Sequence, residues 1–131
     1  MKPEELIDLM HRQRGGRHEE AFAWMAKMDP DFTEAFNKMV VQVFGLYGDG
    51  SPDTSTLPPK TKELVAIGIL AAQRDFERMT HHLGRLLDRY GATDREVLEV
   101  FQLAGVMAGG PAMRGALAVL LEAKKKRGQP V

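Results

Sequence analysis

The chain has 131 residues, with 18 basic and 18 acidic side chains, four His, no Cys and a formal net charge of +0. With 44% hydrophobic and 27% charged residues, that is the make-up of one globular domain able to bury a core and coat it. Balanced charge offers no broad attractive field for phosphate backbones or anionic lipid, so neither nucleic acid nor a membrane surface is an expected partner. The longest apolar run, Leu64 to Ala72, is far short of the ~20 residues a spanning helix needs. The opening Met1-Lys2-Pro3-Glu4-Glu5 lacks the basic-then-apolar order of a secretory signal, which makes the cytoplasm the expected location. Without Cys there is no thiolate nucleophile, no disulfide and no Cys-based zinc or iron–sulfur site.

Apolar positions recur at helical spacing almost throughout, and period-2 alternation is missing over any useful length, so the expected fold class is all-α. A first helix is predicted over about residues 3 to 13, opened by Pro3 and stopped by Gly15-Gly16, and a second over His18 to Met28. Asp29-Pro30 supplies an N-cap and a first-turn Pro for a third helix, whose expected core stripe is Phe32, Phe36, Val40, Val43, Phe44 and Tyr47. Gly48 to Pro59 is turn and loop chemistry. The helix predicted from Lys60 to about Gln73 is apolar on every side after its first turn, which suits a central position or a subunit interface.

Asp75 then caps a helix to Tyr90 with the stripe Phe76, Met79, Leu83, Leu86, Leu87 and Tyr90, ended by Gly91. Thr93-Asp94-Arg95-Glu96 reads as a capping box ahead of Val97, Leu98, Val100, Phe101 and Leu103. Gly109-Gly110-Pro111 closes that helix and opens the last, Pro111 to about Lys126, where Met113, Leu117, Leu120 and Leu121 are expected to face inward. Ala104, Gly105, Ala108 and Gly109 are small enough for another helix to approach closely. No internal repeat or linker divides the chain, so residues 1–131 read as a single domain.

Few residues carry chemistry. The two Ser, Ser51 and Ser55, lie in the Pro-rich loop without a positioned His, and no P-loop or dinucleotide fingerprint occurs, so no nucleotide cofactor is expected. Glu77 and His81, four apart, could begin a metal site, but no third ligand shares their spacing, and an exposed i,i+4 pair explains them more simply; no metal is expected. The basic Lys124-Lys125-Lys126-Arg127 complements a helix C-terminus.

Glu63 and His82 differ from these. His82 falls on the flank of the apolar stripe of its helix while His81 points nearly opposite. Glu63 stands at the polar end of a ridge continued by Ile67 and Leu70, where desolvation penalises a charged carboxylate and a nearby imidazole could exchange a proton with it. Nineteen positions would separate them by ~28 Å on one continuous helix, so they meet only if the chain reverses near Gln73-Arg74-Asp75. The plainer alternative makes Glu63 a first-turn acid favoured by the helix dipole and His82 an amphipathic boundary residue.

The series Leu57-Pro58-Pro59-Lys60-Thr61-Lys62-Glu63-Leu64-Val65, then His82, then Gly91-Ala92-Thr93 with Glu96 and Glu99, then Gly109-Gly110-Pro111-Ala112, resembles the carboxymuconolactone decarboxylase family, which includes alkylhydroperoxidase D. The resemblance covers Asp29 to about Leu121 and leaves residues 1–28 as an N-terminal helical extension. It implies an alkylhydroperoxidase D-like bundle of six or seven helices with a central antiparallel hairpin, assembled as a homo-oligomer, trimer or hexamer, with Glu63 and His82 together at the pocket. The peroxidase branch places two Cys where this chain has Asp75 and Arg78, so thiol-based peroxide reduction is excluded here. The decarboxylase branch resembles this chain in lacking those Cys and in keeping an Arg near the reversal, here Arg74. The resemblance thus implies an acid/base carboxy-lyase without a cofactor, acting on a small oxo-acid or lactone acid. His82 and Glu63 would move the proton, and Arg74 or Arg78 would hold the substrate carboxylate. A non-catalytic oligomeric scaffold and a metal-dependent hydrolase using Glu77 and His81 are the alternatives. The insertion at 48–56 is longer than the family's usual loop, and the turn at Gly91 comes slightly late.

Overall fold

The computed structural model describes residues 1–14, 20–46 and 56–131. Among them are seven helices and no strand: α1 (Pro3–Arg14), α2 (Glu20–Met28), α3 (Pro30–Phe44), α4 (Pro59–Ala72), α5 (Phe76–Asp88), α6 (Asp94–Ala108) and α7 (Gly110–Lys126). The all-α reading holds, with boundaries within a residue or two of those expected. His18, Tyr47, both Ser and most of the loop from Gly48 onward lie outside the described residues. No helix is long and apolar enough to cross a membrane among the described residues. The chain divides into two compact units, Met1–Pro59 and Lys60–Val131.

In the first unit Leu6 and Met10 of α1 pack on Ala26 of α2, with Ile7 and Phe22 beside them. Asp29 caps α3 as predicted, its carboxylate accepting from the Phe32 N–H at 3.0 Å. The buried face of α3 is Thr33, Asn37 and Val41, whereas Phe32 and Val43 of the expected stripe are exposed. The polar pair can turn inward because its groups find partners: the Thr33 hydroxyl donates to the Asp29 carbonyl at 2.8 Å and the Asn37 amide to Gln13 at 2.8 Å. The aromatic side chains line up on the adjoining face, with Phe36 stacked on both Phe22 and Phe32.

The second unit holds the larger core, built from Ile67, Leu70 and Ala71 of α4, Met79, Leu83 and Leu86 of α5, Val97, Phe101 and Ala104 of α6, and Ala116, Leu120 and Ala123 of α7. The capping box at the head of α6 is complete: Thr93 Oγ1 accepts from the Glu96 N–H at 3.1 Å and the Glu96 carboxylate from the Thr93 N–H at 2.9 Å. That backbone hydrogen bond, reinforced by Lys60, holds the Glu96 carboxyl below its usual range. On α7 the inward face is Ala112, Ala116, Leu120 and Ala123, while Met113 and Leu117 are only partly buried and Leu121 is exposed. The expected large residues give way to small ones because α7 packs against both α5 and α6 and needs slender surfaces on both sides. The basic end of α7 is tied down by ion pairs. Buried Lys124 meets Asp94, and Arg127 donates Nε and Nη2 to the two oxygens of Asp88, each at 2.8 Å. The Arg127 pairing lowers the Asp88 carboxyl and raises the guanidinium from their ordinary values.

Between α4 and α5 the chain reverses where the sequence said it must. The Asp75 N–H donates to the Leu70 carbonyl at 2.9 Å and the Arg74 N–H to Ala71 at 3.0 Å, the paired bonds of a Schellman close, and Arg74 takes the left-handed conformation with φ 56°. Asp75 then caps α5 through the Arg78 N–H at 3.3 Å. A non-glycine residue at this dihedral carries strain of about 1–2 kcal/mol, offset by the bonds that close the turn.

The close approach of α5 and α7 depends on Gly115, where an added Cβ would lie 2.2 Å from Cζ of the Phe76 ring. Gly115→Ala is therefore expected to lower stability by about 1–3 kcal/mol in urea unfolding, with Phe76→Leu restoring part of it. Gly110→Ala, where a Cβ meets nothing within 4 Å, is the control and should change stability by less than about 1 kcal/mol.

Candidate active site

The reversal at Arg74 brings α4 and α5 together so that Glu63 and His82, nineteen residues apart, are joined: Glu63 Oε2 lies 2.7 Å from His82 Nδ1. The Glu63 side chain is 0% exposed and that of His82 16%. Glu63 sits one helical turn before Ile67 on the buried face of α4, as its place on the apolar ridge predicts. The apolar stripe of α5, anchored by Met79, Leu83 and Leu86, holds His82 at the edge of the same interface.

A third member was not anticipated. Arg85, one turn beyond His82 and 10% exposed, donates Nε–H to Glu63 Oε1 at 2.7 Å, and its Nη2 lies 3.1 Å from His82 Nδ1. Each oxygen of the buried carboxylate thus faces one nitrogen, imidazole on one side and guanidinium on the other. A buried carboxylate is tolerable only when its lone pairs are met in this way. The signal for Arg85 was present in the sequence, since i and i+3 positions share a helix face, but Arg85 also reads as an ordinary solvated charge beside Gly84.

The two Arg expected to hold a substrate occupy other places. Arg74 is exposed at the turn, and among the described residues no hydrogen bond joins it to Glu63 or His82. Its left-handed backbone directs it away from the helix it follows. Arg78 is exposed and pairs with Asp75 at 3.3 Å, one turn before His82 on the same face of α5. Asp75 and Arg78, at the positions that carry Cys in the peroxidase branch, therefore form an ion pair at the head of α5. Glu77 and His81 lie in the same helix, and among the described residues no group of three or more His, Asp or Glu is placed to hold a metal ion.

The charges in the triad restrict where its hydrogen atoms go. Arg85 can only donate, so Glu63 Oε1 accepts. Two lone pairs would repel at 2.7 Å, so a hydrogen lies between Oε2 and Nδ1. With Glu63 as a carboxylate it resides on Nδ1, and the ring's other nitrogen, Nε2, is the one at which a proton is gained or lost.

Sequence comparison identifies the same arrangement as a family trait. The sequence model of the Carboxymuconolactone decarboxylase family matches residues 30–122, about seven-tenths of the chain. This protein belongs to the carboxymuconolactone decarboxylase family. Its fold is similar to the crystal structure of a protein from Burkholderia xenovorans LB400 provisionally named a carboxymuconolactone decarboxylase, with a TM-score of 0.70 and 22% sequence identity over 95% of this chain and 92% of that one. No curated protein matches the chain. Within the family match, the described site residues all lie in the second compact unit, on α4 and α5.

Proposed function

We propose that the protein is an acid/base carboxy-lyase of the carboxymuconolactone decarboxylase family, acting on a small oxo-acid or lactone acid. The observation that carries this reading is the buried contact between Glu63 and His82, completed by Arg85. When the bond from carbon to the substrate carboxylate breaks, its electron pair passes to the carbonyl or lactone conjugated with that carbon and carbon dioxide departs. A proton must then reach the carbon. The His82 imidazolium delivers it from Nε2 and regains a proton from water, while Glu63 holds Nδ1 and fixes the ring's orientation. The substrate supplies its own electron sink, so the chain's task is to orient the acid and deliver one proton.

Arg78 is the better placed of the two expected carboxylate ligands. It shares the His82 face of α5, and its 3.3 Å bond to Asp75 is loose enough to exchange for a substrate carboxylate. Arg74 has no comparable support.

The active form is a homo-oligomer, trimer or hexamer as the family resemblance implies. The support is an outward apolar surface on α4, with Val65 and Ile69 each 53% exposed, and on α6, where Val106 is 84% and Met107 78% exposed. Light scattering of the purified chain should give a multiple of the subunit mass that falls to one subunit in the Val106→Glu, Met107→Glu double variant. A parent protein already at one subunit mass contradicts this assembly.

Turnover tests the chemistry. With small lactone acids and oxo-acids as substrates and carbon dioxide release as the readout, Glu63→Gln and His82→Gln should each lower kcat by at least about 100-fold, the usual scale of a lost general acid. Arg78→Ala should mainly raise KM. Substrate binding with no turnover in the parent protein or in any variant would instead favour a binding or scaffold role.

A further inference from the structure

The catalytic reading leaves Glu63 with two possible duties: to orient His82, or to take the shared proton itself and recharge the ring. Resting on the reading of His82 as the proton carrier, we infer that Arg85 is a positioning residue that excludes the second duty by keeping Glu63 a carboxylate through the whole cycle.

The argument follows from counting hydrogens. When His82 is charged, the same set of protons fits two arrangements. In one, a carboxylate faces an imidazolium. In the other, a carboxylic acid donates to Nδ1 of a neutral ring whose hydrogen is on Nε2. In water-free surroundings the neutral arrangement is the natural resting place of an isolated carboxyl–imidazole pair, because it leaves no charge to desolvate. Here the pair is not isolated. Arg85 is permanently charged, is itself nine-tenths buried, and places Nε–H 2.7 Å from Oε1 of the same carboxyl group. A neutral Glu63 would strand that guanidinium as a buried cation without its counter-ion, which costs more than either arrangement saves. The proton therefore stays on the ring. Nη2 of Arg85, 3.1 Å from Nδ1, adds a geometric limit: beside a donor, Nδ1 keeps its own hydrogen only if that hydrogen points at Oε2.

The consequence is a division of labour. Glu63 and Arg85 together form a fixed, nearly neutral mount, and every change of charge occurs on His82 at Nε2. Asp–Arg mounts of this kind cannot act as a relay, so the proton spent on substrate carbon is replaced at His82 directly.

Nuclear magnetic resonance of the full chain, with 15N-labelled His and 13C-labelled Glu side chains, tests this without any substrate. The Glu63 carboxyl signal is assigned by its loss in Glu63→Gln. In the parent protein at roughly pH 8.5, well above the ordinary imidazole range, Nδ1 should carry the hydrogen and Nε2 should not. At roughly pH 5.5, inside the acid side of that range, both ring nitrogens should be protonated and the Glu63 carboxyl should keep its carboxylate position. In Arg85→Met at the lower pH, the Glu63 signal should move toward the carboxylic-acid position and Nδ1 toward its unprotonated one, and Arg85→Lys should restore the parent pattern. Arg85→Gln, uncharged but closer in shape, replaces the methionine variant if that one does not fold. A parent protein with Nδ1 unprotonated at the higher pH, or an uncharged variant indistinguishable from the parent at the lower pH, overturns the inference. Lack of turnover with every acid tried would count against the decarboxylase reading and leave these signals unchanged.

Discussion

One fully buried carboxylate governs the second compact unit. Removing Glu63 from water costs several kcal/mol even after relaxation, and the chain recovers it only by bringing two nitrogen groups to its two oxygens. Both groups come from α5, three residues apart, so they meet Glu63 together in one register of α5 against α4 and in no other. The turn between the helices must therefore be of fixed length and geometry. The Schellman close, the strained Arg74 and the Asp75 cap are the means by which that register is set within three residues.

Packing on the other side of α5 then has to hold that register. The small inward face of α7, with Gly115 under the Phe76 ring, lets α7 lie close along α5, and the paired hydrogen bonds between Arg127 and Asp88 fasten the far ends of the two helices. Dispersion and burial along this seam are insensitive to small shifts of charge, so the seam acts as a rigid support for the polar contacts. What the site gains is orientation: an imidazole whose Nδ1 is committed to Glu63 and whose chemistry is confined to Nε2.

Much of this was legible in the sequence wherever a single local rule decides the outcome. The caps at Asp29, Asp75 and Thr93 and the reversal near Arg74 follow from residue types at fixed offsets, and so does the pairing of Glu63 with His82 once the reversal is accepted. Where two faces compete, the pattern was less informative. On α3 the aromatic stripe looked like the core, but Thr33 and Asn37 occupy the interior because their polar groups are satisfied there. On α7 the largest side chains looked buried, whereas helix spacing favours alanine. Arg85 escaped notice for a related reason. Its value lies in a partner twenty-two positions away, and nothing in its own neighbourhood separates a mounting guanidinium from a solvated one.

The coupling between Glu63 and Arg85, measured by urea unfolding of Glu63→Gln, Arg85→Met and the double variant, tests the buried carboxylate most directly. Each single change should be clearly destabilising, and the pair together should cost less than their sum by about 2 kcal/mol or more, because the second change removes a group the first has already left unpartnered. Effects that add to within about 0.5 kcal/mol would mean that the two side chains do not share a buried contact, and the account of the site would fail with it.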